Sequence, residues 1–120
     1  MKIINIKDVP KDELDLPVFT GKVIRQSPVK DEDGSDLSID YIHFPKGVRN
    51  KFHTHSNGQV LIVTHGRGTV ATEEGEFEVT EGDIIYAPAG EKHWHGAQPG
   101  FEFTHISITK AGTKLTQVEE

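Results

Sequence analysis

The sequence predicts an all-β domain, either a sandwich or a closed barrel, and three observations carry that prediction. Apolar residues alternate or fall in short runs. Gly, Pro and Asp separate those runs. A 3.6-residue helical period is absent throughout. About eight to ten short strands result, and closure into a barrel is attractive because it removes exposed strand edges.

The elements follow in order. Residues 18–29 read as a first long strand with Gly21 as a bulge, and Asp31-Glu32-Asp33-Gly34 is a turn signal. Residues 37–44 alternate as a strand does, and Pro45-Lys46-Gly47 ends it. Residues 51–55 are short and extended. Residues 60–63, Val-Leu-Ile-Val, are a buried run that is expected to end at Gly66-Arg67-Gly68. Residues 69–72 and 76–80 form a hairpin around Glu73-Glu74-Gly75. Residues 83–86 make a strand closed by Pro88-Ala89-Gly90. Residues 93–97 and 101–109 are two more, joined at Gln98-Pro99-Gly100. The ends, 7–17 and 110–120, are polar or Pro-bearing and read as loose or edge segments.

Length and charge bound the function. The 120 residues fit one domain, 1–120, with its barrel at about 18–109. A formal charge of −6 with scattered Lys and Arg argues against nucleic acid and against an anionic membrane surface as partners. With no cysteine, disulfides and thiolate ligands are excluded, and a metal would be held by nitrogen and oxygen. The N-terminus lacks the apolar core of a signal peptide, so a cytoplasmic location is the expectation. Six of the seven histidines fall after residue 50.

Four residues form a donor set. His53 and His55 lie two apart on an extended segment and leave it on one face. Gln59 follows the Ser56-Asn57-Gly58 turn and can reach back with its amide oxygen. His93 follows the Pro88-x-Gly90 turn on another strand. Any one of them alone reads as an ordinary polar residue. Together, three imidazoles and an amide oxygen leave one or two positions open on a metal that takes five or six ligands.

The chain resembles the cupin superfamily. It reads Gly47-x5-His53-x-His55-x3-Gln59-x6-Gly66 against the first cupin motif, and Gly82-x5-Pro88-x-Gly90-x2-His93-x3-Ala97 against the second. The resemblance implies a single-domain cupin jelly-roll β-barrel with His53, His55, Gln59 and His93 as ligands of one divalent ion, Mn or Fe foremost, with Ni or Zn as alternatives. Two positions depart from the pattern: Gln59 stands for Glu, and Ala97 for Asn. A neutral Gln leaves the site near +2, which tilts it toward Lewis-acid work and favours anionic oxygen ligands. Residues 17–23, 90–97 and 104–108 look like the small bacterial cupins that include manganese-dependent hydroxynitrile lyases. That resemblance implies a Lewis-acid lyase on a small hydroxy- or carbonyl-bearing substrate, with His105 as candidate acid/base. An iron-dependent dioxygenase and a sugar-acid-processing or non-enzymatic binding cupin are the alternatives.

The remaining candidates belong to the pocket. Phe101, Phe103, His105 and Ser107 share a strand face by period two, so burial beside the metal would leave His105 a neutral base; a core histidine bonded to a carbonyl is the plainer reading. His95 faces the same way as His93. Asp40, Ile42 and Phe103 are expected to line the pocket, Trp94 to pack outward, and His43 and His65 to be structural. The resemblance, together with the apolar Ile3, Ile4 and Ile6, implies a homodimer or higher homo-oligomer with residues 1–6 as an exchanged strand.

Overall fold

The computed structural model describes residues 1–120 as ten strands with two 3-10 turns, at Ile6–Asp8 and Asp31–Asp33. The strands are β1 (Asp12–Leu14), β2 (Val23–Val29), β3 (Leu37–Phe44), β4 (His53–His55), β5 (Gln59–Thr72), β6 (Gly75–Thr80), β7 (Ile84–Ala87), β8 (His93–Ala97), β9 (Phe103–Lys110) and β10 (Leu115–Gln117). No helix is long and apolar enough to cross a membrane.

Strand β5 organises the barrel. Its first part pairs with β9 and β7, in a sheet that continues through β3 to β2 and β1. Its second part pairs with β6 and β8, in a sheet that continues to β4 and β10. A register shift between Val63 and His65 marks the crossing. One bulged strand therefore belongs to both layers, and that bend closes the jelly roll.

Side-chain parity fills the interior. On β3, Ser38, Asp40, Ile42 and Phe44 face inward, while Ile39 and Tyr41 face an outer groove. The core is Val23, Phe44, Val63, Val79, Ala97 and Phe103, one from each of six strands. Phe44 and Phe103 pack with centroids 5.9 Å apart and close one end of the barrel. Each contributes about 2–3 kcal/mol by leaving water. The other end stays open, and there the inward rows turn polar.

Two expectations change. The first strand begins at Val23, not residue 18: Phe19 instead bridges to Asn50, and Thr20 and Lys51 join the two segments by backbone bonds. The run at 60–63 does not end at Gly66-Arg67-Gly68 but continues to Thr72. Those glycines permit close approach. A Cβ at Gly68 would lie 2.5 Å from the Phe103 ring, and one at Gly66, whose φ is +81°, would overlap the Glu102 carbonyl. The polar ends also hold edge strands, with β1 on β2 and β10 on β4. Residues 1–5 form no strand within the chain; Gln26 Nε2 donates to the Ile6 and Val9 carbonyls and ties the following turn down.

Gly96 on β8 is equally constrained, because a Cβ there would overlap the backbone of Arg49. Gly96→Ala is expected to destabilise the fold by about 2–3 kcal/mol. Urea unfolding checks this, and a midpoint equal to wild type would contradict the packing.

Candidate metal centre

The open end carries the histidines. β4 presents His53 and His55 on one face, and its single ladder pair with β8 sets His53 opposite His93. Ring centroids lie 4.5 Å apart for His53–His93, 4.9 Å for His53–His55 and 5.2 Å for His55–His93. One nitrogen from each of the three can fall within 4.8 Å of the others, so the cluster could hold a metal ion.

Backbone carbonyls orient the rings. His53 Nδ1–H donates to the Lys51 carbonyl at 2.6 Å, and His93 Nδ1–H to the Glu91 carbonyl at 2.9 Å. Each bond fixes the tautomer and leaves Nε2 as a bare lone pair. Gln59, at the start of β5, donates from Nε2 to Ser107 Oγ at 2.9 Å, which turns Oε1 toward His93 Nε2 at 3.2 Å. Two acceptors then face each other across a buried gap. That pairing is repulsive unless a cation or a proton lies between them. The donor set therefore fits a divalent ion, with Gln59 joining the three histidines.

Burial is the main cause of low basicity here. It lowers the pKa of His53 to about 4, with His93 and His55 adding to the effect and the Lys51 carbonyl opposing it. Burial and then His93 lower His55 to about 4. At neutral pH these rings are uncharged and ready to ligate.

Beyond the trio lies a second pair. His95 stands 5.6 Å from His53 and 4.7 Å from His105, centroid to centroid. His105 Nε2 and His95 Nδ1 are hydrogen-bonded at 2.9 Å, so one donates and the other accepts. His105 is fully buried and its pKa falls to about 3, chiefly by desolvation, its own backbone carbonyl opposing and His43 assisting. Its Nδ1 has no partner. Desolvation first, then His105 and the ligand histidines, hold His95 well below the usual range.

Asn50 is a residue that carried no sequence signal. It is buried, accepts from the His95 amide through Oδ1 at 2.8 Å, and brings Nδ2 to 3.2 Å from His95 Nε2. No motif contains it, and long-range backbone contacts bring it inward: a bridge to Phe19 and its amide's bond to the His95 carbonyl at 2.9 Å.

A cavity of about 360 Å³ opens onto this set. His53, His55, Gln59, His95 and His105 form part of its lining, and so do Asp40 and Ile42. Phe103, expected on that wall, lies beneath it: parity points it inward, but Phe44 and His105 cover it, 5.9 and 5.6 Å away by centroid. Phe101 sits outside β9, exposed under the Arg67 guanidinium. Trp94 faces away from the histidines and stacks on Arg49 at 4.4 Å. His43 bonds Gln26 at 2.7 Å and Thr104 at 3.0 Å on the outer face, as a structural residue does.

The last strand holds β4 in place. β10 makes three ladder pairs with it, opposite His53, Thr54 and His55. Glu119 then accepts from the Phe52 amide at 2.9 Å and from Arg49 at 2.8 Å. The Phe52 amide, then Arg49, keep its carboxyl below the usual carboxylate range.

The buried neutral imidazoles set a pH dependence. Unfolded histidines take protons near 6.5, whereas His53, His55 and His105 do so only near 4, 4 and 3. Stability is thus fully present above about pH 6.5 and is lost as pH falls toward the folded values. Metal-free protein is expected to melt progressively lower from pH 7 to pH 4. A melting temperature that stays flat over that window would refute the neutral cluster.

Fold and site define a jelly-roll barrel with an inward-facing imidazole set at its open end. The chain belongs to the cupin family, whose cupin domain matches residues 40–105, more than half its length. The (R)-mandelonitrile lyase of Granulicella tundricola is 40% identical over 91 residues, covering 75% of this chain and 70% of that protein. The acireductone dioxygenase of a Synechococcus strain is 38% identical over 84 residues, 58% of this chain and 45% of its own length. Among solved structures, a cupin-like protein from Thermotoga maritima superposes with a TM-score of 0.84 at 30% identity, covering 90% of this chain and 84% of that one. The polyketide cyclase of Streptomyces resistomycificus shares the fold, with a TM-score of 0.88 at 18% identity over all of this chain and 87% of that one.

Proposed function

We propose that this protein is a divalent-metal-dependent lyase that cleaves a small hydroxy-bearing substrate of the cyanohydrin type. One observation carries the reading: three clustered imidazoles, with Gln59 beside them, adjoin a cavity whose wall also holds a second, buried pair of imidazoles. The similarity to a mandelonitrile lyase supports the substrate class. The apolar wall, including Leu14, Leu16, Phe19 and Ile42, suits an aryl or alkyl group. His53, His55, Gln59 and His93 would hold the ion, with manganese or iron as the expected metal and nickel or zinc as alternatives.

A base as weak as His105 takes a proton only from a hydroxyl made unusually acidic, which is the chemistry a bound Lewis acid supplies. His105, which lines the cavity and has no side-chain partner at Nδ1, accepts the substrate hydroxyl proton. Its Nε2–H donates to His95 Nδ1, and Asn50 Oδ1 anchors the His95 backbone amide. The oxygen's electrons form the carbonyl as the C–C bond breaks, and the bonding pair leaves on cyanide. The proton held by the pair then converts cyanide to hydrogen cyanide. Burial keeps water from competing for that proton.

Manganese-loaded protein is expected to release benzaldehyde from mandelonitrile, measured by its ultraviolet absorbance. No release from mandelonitrile or from aliphatic cyanohydrins would refute the lyase reading. The similarity to acireductone dioxygenases favours one alternative, an oxygen-using iron enzyme. Oxygen uptake by iron-loaded protein with an enediol substrate would support it, and a flat electrode trace would oppose it.

A further inference from the structure

We infer that Arg25 seats a carboxylate, which makes the natural substrate an organic acid whose hydroxyl or carbonyl oxygen faces the histidine set. The inference rests on the metal-site reading above and narrows its substrate class.

Strand parity places Arg25 in the barrel wall. On β2 it lies two residues from Val23, a fully buried core residue. It stands opposite Asp12 on β1 and opposite Ile42, a cavity-lining residue, on β3. Arg25 itself borders the cavity and also a polar groove beside it.

Its donors are not used up. The Nε–H is buried without a partner. The one carboxylate within 4 Å of the guanidinium, Asp12, lies 3.9 Å away, beyond hydrogen-bond distance. The acids on the cavity wall are otherwise engaged: Asp40 accepts from the Ser27 hydroxyl at 2.5 Å, and Asp31 from the Gly112 amide at 2.7 Å. A planar fork with free N–H groups is the protein partner best matched to a carboxylate.

The charge balance points the same way. Arg25 and Lys110 offset Asp31 and Asp40 on the cavity wall. The proposed ligand set contains no carboxylate, so a divalent ion held there would keep its charge near +2. Leu14, Leu16 and Ile42 line the same space and fit an apolar middle section.

The test compares mandelate with its neutral amide, mandelamide, as ligands titrated by calorimetry into manganese-loaded protein. Mandelate is expected to bind about 10-fold or more tighter than the amide. Arg25→Gln is expected to reduce that preference by weakening mandelate alone, and Arg25→Lys to restore part of it. Melting curves of each variant establish that it is folded. Equal affinity for the two ligands in wild type, or an undiminished preference in Arg25→Gln, would overturn the inference. Mandelonitrile has no carboxylate, so its turnover by wild type tests the lyase reading separately. Carboxylate preference without cyanohydrin cleavage would keep Arg25 and retire the lyase; cleavage without the preference would do the reverse.

Discussion

His53→Ala protein is expected to bind its divalent ion at least ~100-fold more weakly than wild type and to show no cyanohydrin cleavage. His53 is the most buried of the three clustered histidines and the one that faces His93 across the β4–β8 ladder. Its ring is pinned by the Lys51 carbonyl, so no other side chain can take its place without losing that orientation. Two imidazoles and an amide would remain, too few neutral donors to displace water from a divalent ion. The fold should survive, because the core lies at the other end of the barrel. Elemental analysis and circular dichroism read the two effects apart. Metal content equal to wild type in folded His53→Ala protein would remove His53 from the ligand set.

His105→Gln is expected to lower kcat by about 10²–10⁴-fold while leaving metal content unchanged. Glutamine can still hydrogen-bond His95, so the variant isolates proton transfer from packing. His105→Ala would be a poorer probe, since it empties a fully buried site between Phe44 and Phe103. The expected signature is a drop in kcat with KM little changed, because the hydroxyl proton moves only as the transition state forms. If His105→Gln retains wild-type kcat, the histidine is a core residue and the proton goes elsewhere.

Much of this molecule was legible in its sequence, for identifiable reasons. Strand β3 could be bounded because both edges are marked, by Asp-Gly on one side and Pro45 on the other, with apolar and polar residues alternating between them except at Tyr41-Ile42. The donor set could be read because His53 and His55 share a face whatever the surroundings, and because turn residues around His93 fix where its strand begins. Other features depend on contacts that no local pattern encodes. Gly66 and Gly68 look like turn residues, yet they serve as close-approach points for β9 within one continuous strand. Leu115–Gln117 is too short and polar to show a period, and its order comes from β4. Phe103 and Ile42 have the same inward parity, but only depth along the barrel decides which of them meets the cavity. Asn50 and Arg25 carry no spacing signal, and their positions come from long-range pairing.

The hold of β10 on β4 has a practical meaning. The strand bearing His53 and His55 shares only one ladder pair with its other neighbour, so its registration is dictated by the last few residues of the chain. Proteolytic trimming after Thr113 would therefore disarm the centre without removing a single donor atom. Mass spectrometry of the intact chain thus belongs beside every measurement of metal content, since a clipped tail and a lost ligand would give the same reading.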